Sequence, residues 1–337
     1  MDEIYSWKFS TTSEMAWESM LASCRNAKES IDLEQYIFGG GAIERTFADL
    51  FLAKVKEGVV VRLLFDAVGS FGFYRSTLCR ELEAGGVKVT FHRGIFMPSL
   101  KRWFPLLLRD HRKLLIVDGK EAHIGGVILT EKARFWRDTD VFLRGRVVRD
   151  LMKSFETVWQ RSRKMDPVGQ VLSKNMHAEF SIAGNSFYLH DKDLYRSFLR
   201  HIVTAKKYIY ITSAYFSPNL EFRKALYFAH KRGVEVRILL PKKSDIFLAD
   251  MLAKRYFKRL IRHGIRIFLY TPKILHAKSI VIDDHFSSVG SCNFDWLSFW
   301  INYELNVLST NQNFATELRD IFLQDIQKSE EVILGRG

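Results

Sequence analysis

The stretch HRKLLIVD at residues 111–118 decides the fold, because the chain repeats its pattern as HAKSIVID at residues 276–283. In each copy a histidine is followed by a lysine two residues later, and an aspartate comes five residues after that lysine. The pattern consists of His111, Lys113 and Asp118 in the first copy and His276, Lys278 and Asp283 in the second. A single copy is compatible with a buried strand that happens to start with a histidine. Two copies instead indicate one site with two imidazoles and two ammonium groups, which suits an anionic phosphodiester.

Similarity between the two halves of the chain extends well beyond this motif. AKESIDLEQYIF (27–38) matches AKKYIYITSAYF (205–216), and EGVVVRLLFD (57–66) matches RGVEVRILLP (232–241). The spacing between matched segments varies by a few residues, which loop insertions explain. It lies far above the roughly 20–50 residues of solenoid repeats, so we interpret it as a duplicated domain.

Length and composition agree with two globular domains and an anionic partner. At 337 residues, a prior of about 150 residues per domain predicts two domains, which we place at residues 1–165 and 166–337. The net charge of +13 favours nucleic acid or an acidic membrane surface, although a solvated basic face would give the same count. Three scattered cysteines, no apolar run long enough to span a bilayer and an N-terminus unlike a signal peptide predict a reduced, cytoplasmic chain.

Each half alternates between strand-like and helix-like segments. AIERTFADLFLAKVKEG (42–58) has apolar residues at helical spacing, and the following VVVRLLFD (59–66) is a continuous apolar run typical of a strand covered on both faces. The alternation predicts an α/β fold with a largely parallel sheet in each half. A polar linker is expected in RSRKMDPVGQVLSKN (161–175), which contains Pro167 and Gly169.

If the motif lies on a strand, residues two apart face the same side of the sheet. His111 then shares a face with Lys113, and His276 shares one with Lys278. Asp118 and Asp283 have the opposite parity, so we expect them to stabilise the end of the strand rather than to contact the imidazoles.

A nucleophilic histidine needs a carboxylate on its second ring nitrogen to fix its tautomer. Asp140 in WRDTDVFL and Glu304 in INYELNVL follow the two motif histidines at nearly equal spacing, so we predict them as these acids. Glycines in HIGGV (123–127) and SVGSCN (288–293) are expected to allow tight turns near the phosphate, with Asn293 as a hydrogen-bond donor. The ten histidines form no HExxH run, so we predict neither a metal site nor a cofactor.

The segments HRKLLIVDGKEAHIGG and HAKSIVIDDHFSSVGSCN resemble the two signature motifs of the phospholipase D superfamily. The segments that look most like bacterial cardiolipin synthases are WRDTDVFLRGRVVRDL, AYFSPN and LHAKSIVIDDHFSSVGSCNFDWLSFWINYELNVL, the last of which contains the second motif. The resemblance implies two tandem, pseudo-symmetric α/β/α sandwich domains with the active site at their interface. It also implies metal-independent transfer of a phosphatidyl group from one phosphatidylglycerol to another, through a phosphohistidine and with release of glycerol.

The same resemblance assigns roles to residues of this chain. His111 corresponds to the nucleophile and His276 to the general acid. The remaining site residues would be Lys113, Lys278, Asn293, Asp140 and Glu304. One departure is that Ile128 stands in the first copy where the pattern expects asparagine, which predicts an asymmetric site. We also expect the chain to lack the N-terminal membrane spans that some family members carry.

Apolar and basic residues next to the motifs favour a lipid over a nucleic acid. FMPSLKRWFPLLLR (96–109) has the composition of an interfacial segment, although a core segment is an equal alternative. DWLSFW (295–300) is a second aromatic cluster, and KRYFKRLIR (254–262) fits a solvated basic helix face better. The predicted lipid contacts are Lys101, Arg102, Trp103, Phe104, Leu106, Leu107, Leu108, Trp296, Phe299 and Trp300.

We therefore predict a peripheral enzyme on the cytoplasmic face of an anionic, phosphatidylglycerol-containing membrane. A phospholipase D that hydrolyses lipids or exchanges their head groups would use the same chemistry. A nuclease of the same superfamily is the other alternative, and it would bind nucleic acid with a steep salt dependence. The sequence gives no indication of the oligomeric state.

Overall fold

The computed structural model describes residues 6–92, 109–164, 179–186 and 192–334. In the first half, the described elements are β1 (Ser6–Ser10), α1 (Ser13–Asn26), β2 (Ser30–Gln35), α2 (Ala42–Lys56), β3 (Val60–Asp66), α3 (Phe71–Tyr74), α4 (Thr77–Ala84), β4 (Lys88–His92), β5 (Leu114–Val117), β6 (Glu121–Gly125), β7 (Asp140–Arg144) and α5 (Val147–Lys164).

The second half follows a similar order. Its described elements are β8 (Phe180–Asn185), α6 (Asp193–Thr204), β9 (Tyr208–Thr212), β10 (Phe216–Ser217), α7 (Leu220–Lys231), β11 (Glu235–Pro241), α8 (Phe247–Arg262), β12 (Arg266–Tyr270), β13 (Ser279–Ile282), β14 (Phe286–Gly290), β15 (Phe294–Asp295), α9 (Trp296–Trp300), β16 (Glu304–Ser309), α10 (Gln312–Ile326) and β17 (Ser329–Glu331). It has β10, β15, α9 and β17 in addition, and α8 alone stands where the first half has α3 and α4.

Each half contains one large mixed sheet. The strand order of the second sheet, read from its last strand to its first, matches that of the first sheet, with β17 as an additional edge strand. The first runs β1-β7-β6-β5-β2-β3-β4, and the second runs β17-β12-β11-β9-β13-β14-β16-β8. Within both sheets, only the strands that alternate with helices pair in parallel, namely β2-β3-β4 and β9-β11-β12. The motif strands β5 and β13 pair antiparallel with both neighbours. The prediction of largely parallel sheets was therefore wrong, whereas the tandem α/β architecture is confirmed.

Three hydrophobic clusters form the layers of the molecule. One cluster lies between the two sheets and combines α5 residues such as Phe155 with α10 residues such as Phe322. The outer face of the first sheet packs against α1, α2 and α4, and that of the second packs against α6, α7 and α8. Because the central cluster draws on both halves, their docking buries apolar surface that neither half would cover alone.

Two matching backbone contacts join the halves beside the motifs. Asp110 forms an isolated parallel bridge with Tyr303, and Arg137 forms one with Leu275. The amide of His111 donates to the carbonyl of Tyr303 at 3.0 Å, and the amide of His276 donates to that of Arg137 at 2.7 Å. Each motif histidine is therefore fixed by backbone from the opposite half.

The predicted domain boundary at residues 165 and 166 lies outside the described residues, as does most of the predicted linker. Residues 161–164 belong to the end of α5 rather than to a linker. Across the four described ranges, no helix is both long and apolar enough to cross a bilayer.

Candidate active site

The two histidine–lysine pairs lie just before their strands rather than on them. β5 begins at Leu114 and β13 at Ser279, so the strand parity argument does not apply to the pairs themselves. Each lysine instead turns back, and its Nζ donates to the backbone carbonyl of the preceding motif histidine. His111, Lys113, His276 and Lys278 are 7%, 3%, 4% and 0% exposed.

Each histidine is held by a buried carboxylate. Nδ1 of His111 lies 3.0 and 3.1 Å from the two carboxylate oxygens of Glu304, the acid predicted from the sequence. Nδ1 of His276 lies 2.7 Å from Oδ2 of Asp138, which the sequence interpretation missed. These contacts leave Nε2 of each ring available for a substrate.

Asp140 does not hold a motif histidine, so its predicted role was wrong. Its Oδ2 lies 3.2 Å from Nδ1 of His123, whose Nε2 lies 3.0 Å from the hydroxyl of Ser23 on α1. This buried chain fixes α1 against the sheet.

The strand registers explain why Asp140 was predicted where the structure has Asp138. Gly125 pairs with Asp140 in the first half, and the equivalent Gly290 pairs with Asn306 in the second. Asp140 is therefore equivalent to Asn306, and Asp138 to Glu304. Aligning the valines that follow, Val141 in DTDVFL and Val307 in ELNVL, would have given this correspondence from the sequence.

The two acids are exchanged between the halves. Glu304 of the second half contacts the histidine of the first, and Asp138 of the first half contacts the histidine of the second. The site is thus complete only when the two halves are docked.

Burial disfavours the charged form of both imidazoles. It lowers the pKa of His111 below the ordinary value, although Glu304 opposes this shift. Burial and the charge of Lys278 lower the pKa of His276 to about 4, against the opposing effect of Asp138. Burial also opposes charge on the two acids, but the adjacent imidazoles and lysines leave the pKa of Glu304 and that of Asp138 below the usual values.

The two ammonium groups are in an environment that disfavours their charge. Burial lowers the pKa of Lys113 to about 7 and that of Lys278 to about 8. The charge of Lys278 also lowers the pKa of Lys113, which indicates that the two groups share one region. A bound anion would relieve this repulsion, so the site is suited to a negatively charged ligand.

Aromatic rings surround the two imidazoles. The ring centroid of Tyr36 lies 5.1 Å from that of His111, and Lys113 Nζ lies 5.3 Å from the Tyr36 centroid. On the other side, Trp136 and Tyr215 place their ring centroids 5.2 and 6.3 Å from that of His276. The Tyr215 hydroxyl donates to Oδ1 of Asp245 at 2.7 Å. None of the three aromatic residues was predicted, because aromatic residues occur throughout the chain.

The glycines beside the motifs permit close backbone approach rather than the predicted turns. A Cβ on Gly125 would lie 2.2 Å from the Thr139 carbonyl oxygen, and one on Gly126 would lie 2.2 Å from Oδ1 of Asp138. Neither glycine has a positive φ. In the second half, Ser291 occupies the place of Gly126, and its hydroxyl donates to the Glu304 carboxylate.

Asn293 and Ile128 stand at equivalent positions after the two motifs, but their side chains differ. Asn293 is buried, and its side-chain oxygen accepts a hydrogen bond from the backbone amide of Tyr215 at 3.3 Å. It thereby holds the loop whose aromatic ring faces His276, while donation to a substrate stays a prediction. Ile128 is buried in the outer core of the first half, and its carbonyl accepts from Trp17 Nε1.

Asp118 and Asp283 lie at the far ends of their strands, where they accept hydrogen bonds from backbone amides. Asp118 accepts from Lys28, Glu29 and Ser30, and Asp283 accepts from Lys206, Lys207 and Tyr208. Both residues have positive φ, 53° and 57°. These contacts fit the expected structural role and place neither side chain against an imidazole.

Among the predicted lipid contacts, one aromatic belongs to the core. Phe299 is fully buried against Tyr195, Phe222 and Phe294, so this prediction was wrong. Trp296 is 51% exposed, whereas Trp300 is partly buried under Lys192, whose Nζ lies 3.9 Å from a Trp300 ring centroid. The other predicted contacts, Lys101, Arg102, Trp103, Phe104, Leu106, Leu107 and Leu108, lie outside the described residues.

The sequence matches the family described as "Cardiolipin synthase, PLD-like domain" over residues 20–159 and 198–326. The chain belongs to this family. The two matched segments contain the two histidine–lysine pairs and both of the acids that hold the histidines.

Curated relatives in the PLD-like cardiolipin synthase family include two Bacillus subtilis (strain 168) proteins. The chain is 31% identical to "Probable cardiolipin synthase YwiE" over 336 residues, covering 95% of this chain and 65% of the relative. It is 30% identical to "Major cardiolipin synthase ClsA" over 332 residues, covering 94% of this chain and 67% of the relative. The chain thus spans about two thirds of the length of these relatives.

A solved structure supports the fold of this family member. The phosphatidylserine synthase of Haemophilus influenzae Rd KW20 superposes with a TM-score of 0.76 at 13% sequence identity. The match covers 97% of this chain and 87% of that one. At this identity the likeness establishes the tandem fold alone.

Proposed function

We propose that this chain is a phosphatidyltransferase that joins two phosphatidylglycerol molecules into cardiolipin and releases glycerol. The observation that carries the proposal is the pair of buried imidazoles, each with Nδ1 on a carboxylate, beside two buried lysines. Such a site supplies a nucleophile, a proton donor and two cations for phosphoryl oxygens. The names of the curated relatives favour a lipid substrate.

In the first step we assign the attack to Nε2 of His111. A bond forms from this nitrogen to phosphorus, and the bond from phosphorus to the glycerol oxygen breaks. His276 gives its proton to that oxygen, so free glycerol leaves and a phosphatidyl group remains on His111. Glu304 stabilises the positive charge that develops on the His111 ring.

In the second step a hydroxyl group of another phosphatidylglycerol attacks the same phosphorus. Its proton passes to Nε2 of His276, the phosphorus–nitrogen bond breaks, and His111 returns to its neutral form. The product is cardiolipin, and His276 regains the proton that it gave up in the first step.

The proton on His276 must be gained when the lipid binds. In the unoccupied site its pKa is about 4, so the ring is neutral near pH 7. The negative charge of a bound phosphodiester favours the protonated imidazole directly. It also offsets the charge of Lys278, which otherwise lowers the pKa of His276. We therefore expect proton uptake on binding of a phosphatidylglycerol analogue.

We place the enzyme at the cytoplasmic face of an anionic membrane. Support comes from the net charge of +13 and from the exposed indole of Trp296, three residues after Asn293. A phospholipase D would differ only in whether water or an alcohol attacks the intermediate, and a nuclease of this fold would act on nucleic acid instead.

The test is incubation of the purified protein with phosphatidylglycerol vesicles, followed by lipid analysis. We expect cardiolipin and glycerol, at a rate that excess chelator does not change. Phosphatidic acid as the sole product would favour the hydrolase, and cleavage of nucleic acid without action on lipid would reject both lipid functions.

Mass spectrometry of a quenched reaction assigns the nucleophile. We expect a phosphatidyl adduct on the peptide that contains His111, and we expect His111→Ala and His276→Ala each to abolish turnover. An adduct on His276 would reverse the two roles. A His111→Ala protein that still turned over, with no adduct, would contradict the covalent mechanism.

A further inference from the structure

Most of the large apolar side chains that are exposed in the described residues come from four segments of the chain. They are Val68, Phe71, Tyr74, Phe135, Ile246, Phe247, Leu248, Met251, Leu252, Trp296 and Leu297. Exposed apolar residues are ordinary when scattered singly, but a concentration of them marks an interaction surface.

These four segments occupy equivalent places in the two halves. One pair follows the equivalent strands β3 and β11, and the other pair follows the equivalent strands β6 and β14. All four strands end at the edge of their sheet that holds the motif histidines. Oδ2 of Asp66, at the end of β3, accepts from the backbone amide of Asp110, next to His111. We call the exposed residues of these segments the apolar rim.

The rim is directly coupled to the wall of the site in the second half. Asp245 immediately precedes the apolar stretch that begins at Ile246, and it accepts a hydrogen bond from the Tyr215 hydroxyl at 2.7 Å. The ring of Tyr215 in turn faces His276. A lipid whose acyl chains stay among the rim residues would therefore have its phosphate close to the imidazoles.

The first turns of α8 have the character of a segment that enters a membrane interface. Phe247 is 77% exposed, Leu248 62% and Met251 51%. From Phe247 to Leu252 the helix rises about 8 Å, so entry of this stretch along its axis would bury its apolar residues to about the 5–10 Å that interfacial segments reach. The next turn presents the exposed residues Lys254 and Arg255, at the height where lipid phosphates would lie.

The charges at this segment favour an anionic surface. The carboxylate of Asp250 accepts from the Ser244 amide at 3.2 and 3.1 Å, and that of Asp245 accepts from Tyr215. Both acids are thus engaged within the protein, whereas Lys243, Lys254 and Arg255 face solvent. An apolar tip followed by cations is complementary to acyl chains covered by anionic head groups.

We propose that the apolar rim docks the protein on an anionic phospholipid bilayer, with the amino-terminal turns of α8 as its deepest element. The proposal deepens the proposed function, because it states how lipid reaches the site, but it concerns binding rather than chemistry. A second copy of the chain is the competing occupant of such a surface.

The test is co-sedimentation with vesicles of phosphatidylglycerol and phosphatidylcholine, compared with vesicles of phosphatidylcholine alone. The rim variant carries Phe247→Ser, Leu248→Ser and Met251→Ser together. We expect its affinity for the anionic vesicles to fall at least about tenfold, while its unfolding temperature stays near that of the unchanged protein.

The matched control carries Val203→Ser, Phe228→Ser and Ile333→Ser. These side chains are 57%, 56% and 82% exposed, and they lie towards the opposite edge, where β9, β11 and β12 begin. The control should bind anionic vesicles like the unchanged protein. Equal loss in both variants, no loss in the rim variant, or no vesicle binding by the unchanged protein would overturn the proposal.

A measurement of the oligomeric state tests the competing occupant, a second copy of the chain. We expect light scattering without lipid to give the same mass for the unchanged protein and the rim variant. A larger mass that only the rim variant loses would assign the rim to contact between copies and overturn membrane docking. Because sedimentation reports binding and lipid analysis reports product, an unchanged protein that binds vesicles but makes no cardiolipin would reject the proposed function and leave the docking intact.

Discussion

Two buried carboxylates only two residues apart, those of Asp138 and Asp140, serve different histidines. Asp138 contacts Nδ1 of His276, and Asp140 contacts Nδ1 of His123, which lies under α1. We predict that Asp138→Asn lowers kcat for cardiolipin formation by about 10³–10⁴-fold, because the amide no longer fixes the tautomer of His276 or stabilises its protonated form.

Asp140→Asn is the matched control for this prediction. It lies in the same segment and is equally buried, so it should lower thermal stability while leaving kcat of the folded protein nearly unchanged. Steady-state kinetics and thermal melts of both variants measure the difference. Equal losses of kcat would show that the contact between Asp138 and His276 has no special role.

The two buried lysines lead us to expect an activity that is sensitive to alkaline pH. The pKa of Lys113 is about 7 and that of Lys278 about 8, so raising the pH through this range removes the charges that we propose to bind the phosphate. We predict that kcat/KM falls as pH rises from about 7 to 9, because kcat/KM reports groups of the free enzyme. The corresponding decrease in kcat should occur at higher pH, since a bound anion raises the pKa values of both lysines. Flat kcat/KM up to pH 9 would contradict this.

At the scale of elements, the hydrophobic pattern located the strands and helices but not their directions. Continuous apolar runs such as VVVRLLFD correctly indicated strands covered on both faces. A strand that is buried on both faces has the same pattern in parallel and antiparallel pairing. The antiparallel pairing of β5 with β2 and of β13 with β9 joins strands that are distant in the sequence, and local sequence does not encode such pairing.

The candidate site was predicted best where the repeat fixed a position. The motif histidines and lysines were found because they recur, and Glu304 because of its spacing. Asp138 was missed because the segment from His111 to Asp138 is one residue shorter than the segment from His276 to Glu304. Equal spacing from the histidines therefore did not identify it. Phe299 was misassigned because DWLSFW gives no sign of which rings face the core, and α9 turns Phe299 inward while Trp296 faces outward.

At the scale of the whole molecule, the contact between the halves contains a buried ion pair. Nε of Arg137 lies 3.0 Å from Oδ1 of Asp325 on α10. The backbone carbonyl of Arg137 accepts a hydrogen bond from the His276 amide. We predict that Arg137→Met lowers the free energy of unfolding by about 3–5 kcal/mol, because it leaves a buried carboxylate without its partner. Denaturant unfolding monitored by tryptophan fluorescence measures the loss.

Arg134→Met is the control for this variant. Arg134 pairs with Glu131 and Glu14 at the surface, and such pairs contribute about 1 kcal/mol or less. Adding Asp325→Leu to Arg137→Met should restore most of the stability, since no buried charge then remains. A double variant no more stable than Arg137→Met would contradict this explanation.

The exchange of acids between the halves also has a consequence for the time course of biosynthesis. A chain emerging from the ribosome completes its first half, with His111 and Lys113, long before Glu304 is synthesised. Until the second half folds and docks, His111 lacks its carboxylate and the proton donor of the reaction does not yet exist. If the proposed function holds, we expect a nascent or half-folded chain beside a membrane to be unable to cleave the lipids around it, and activity to begin only with the finished tertiary structure.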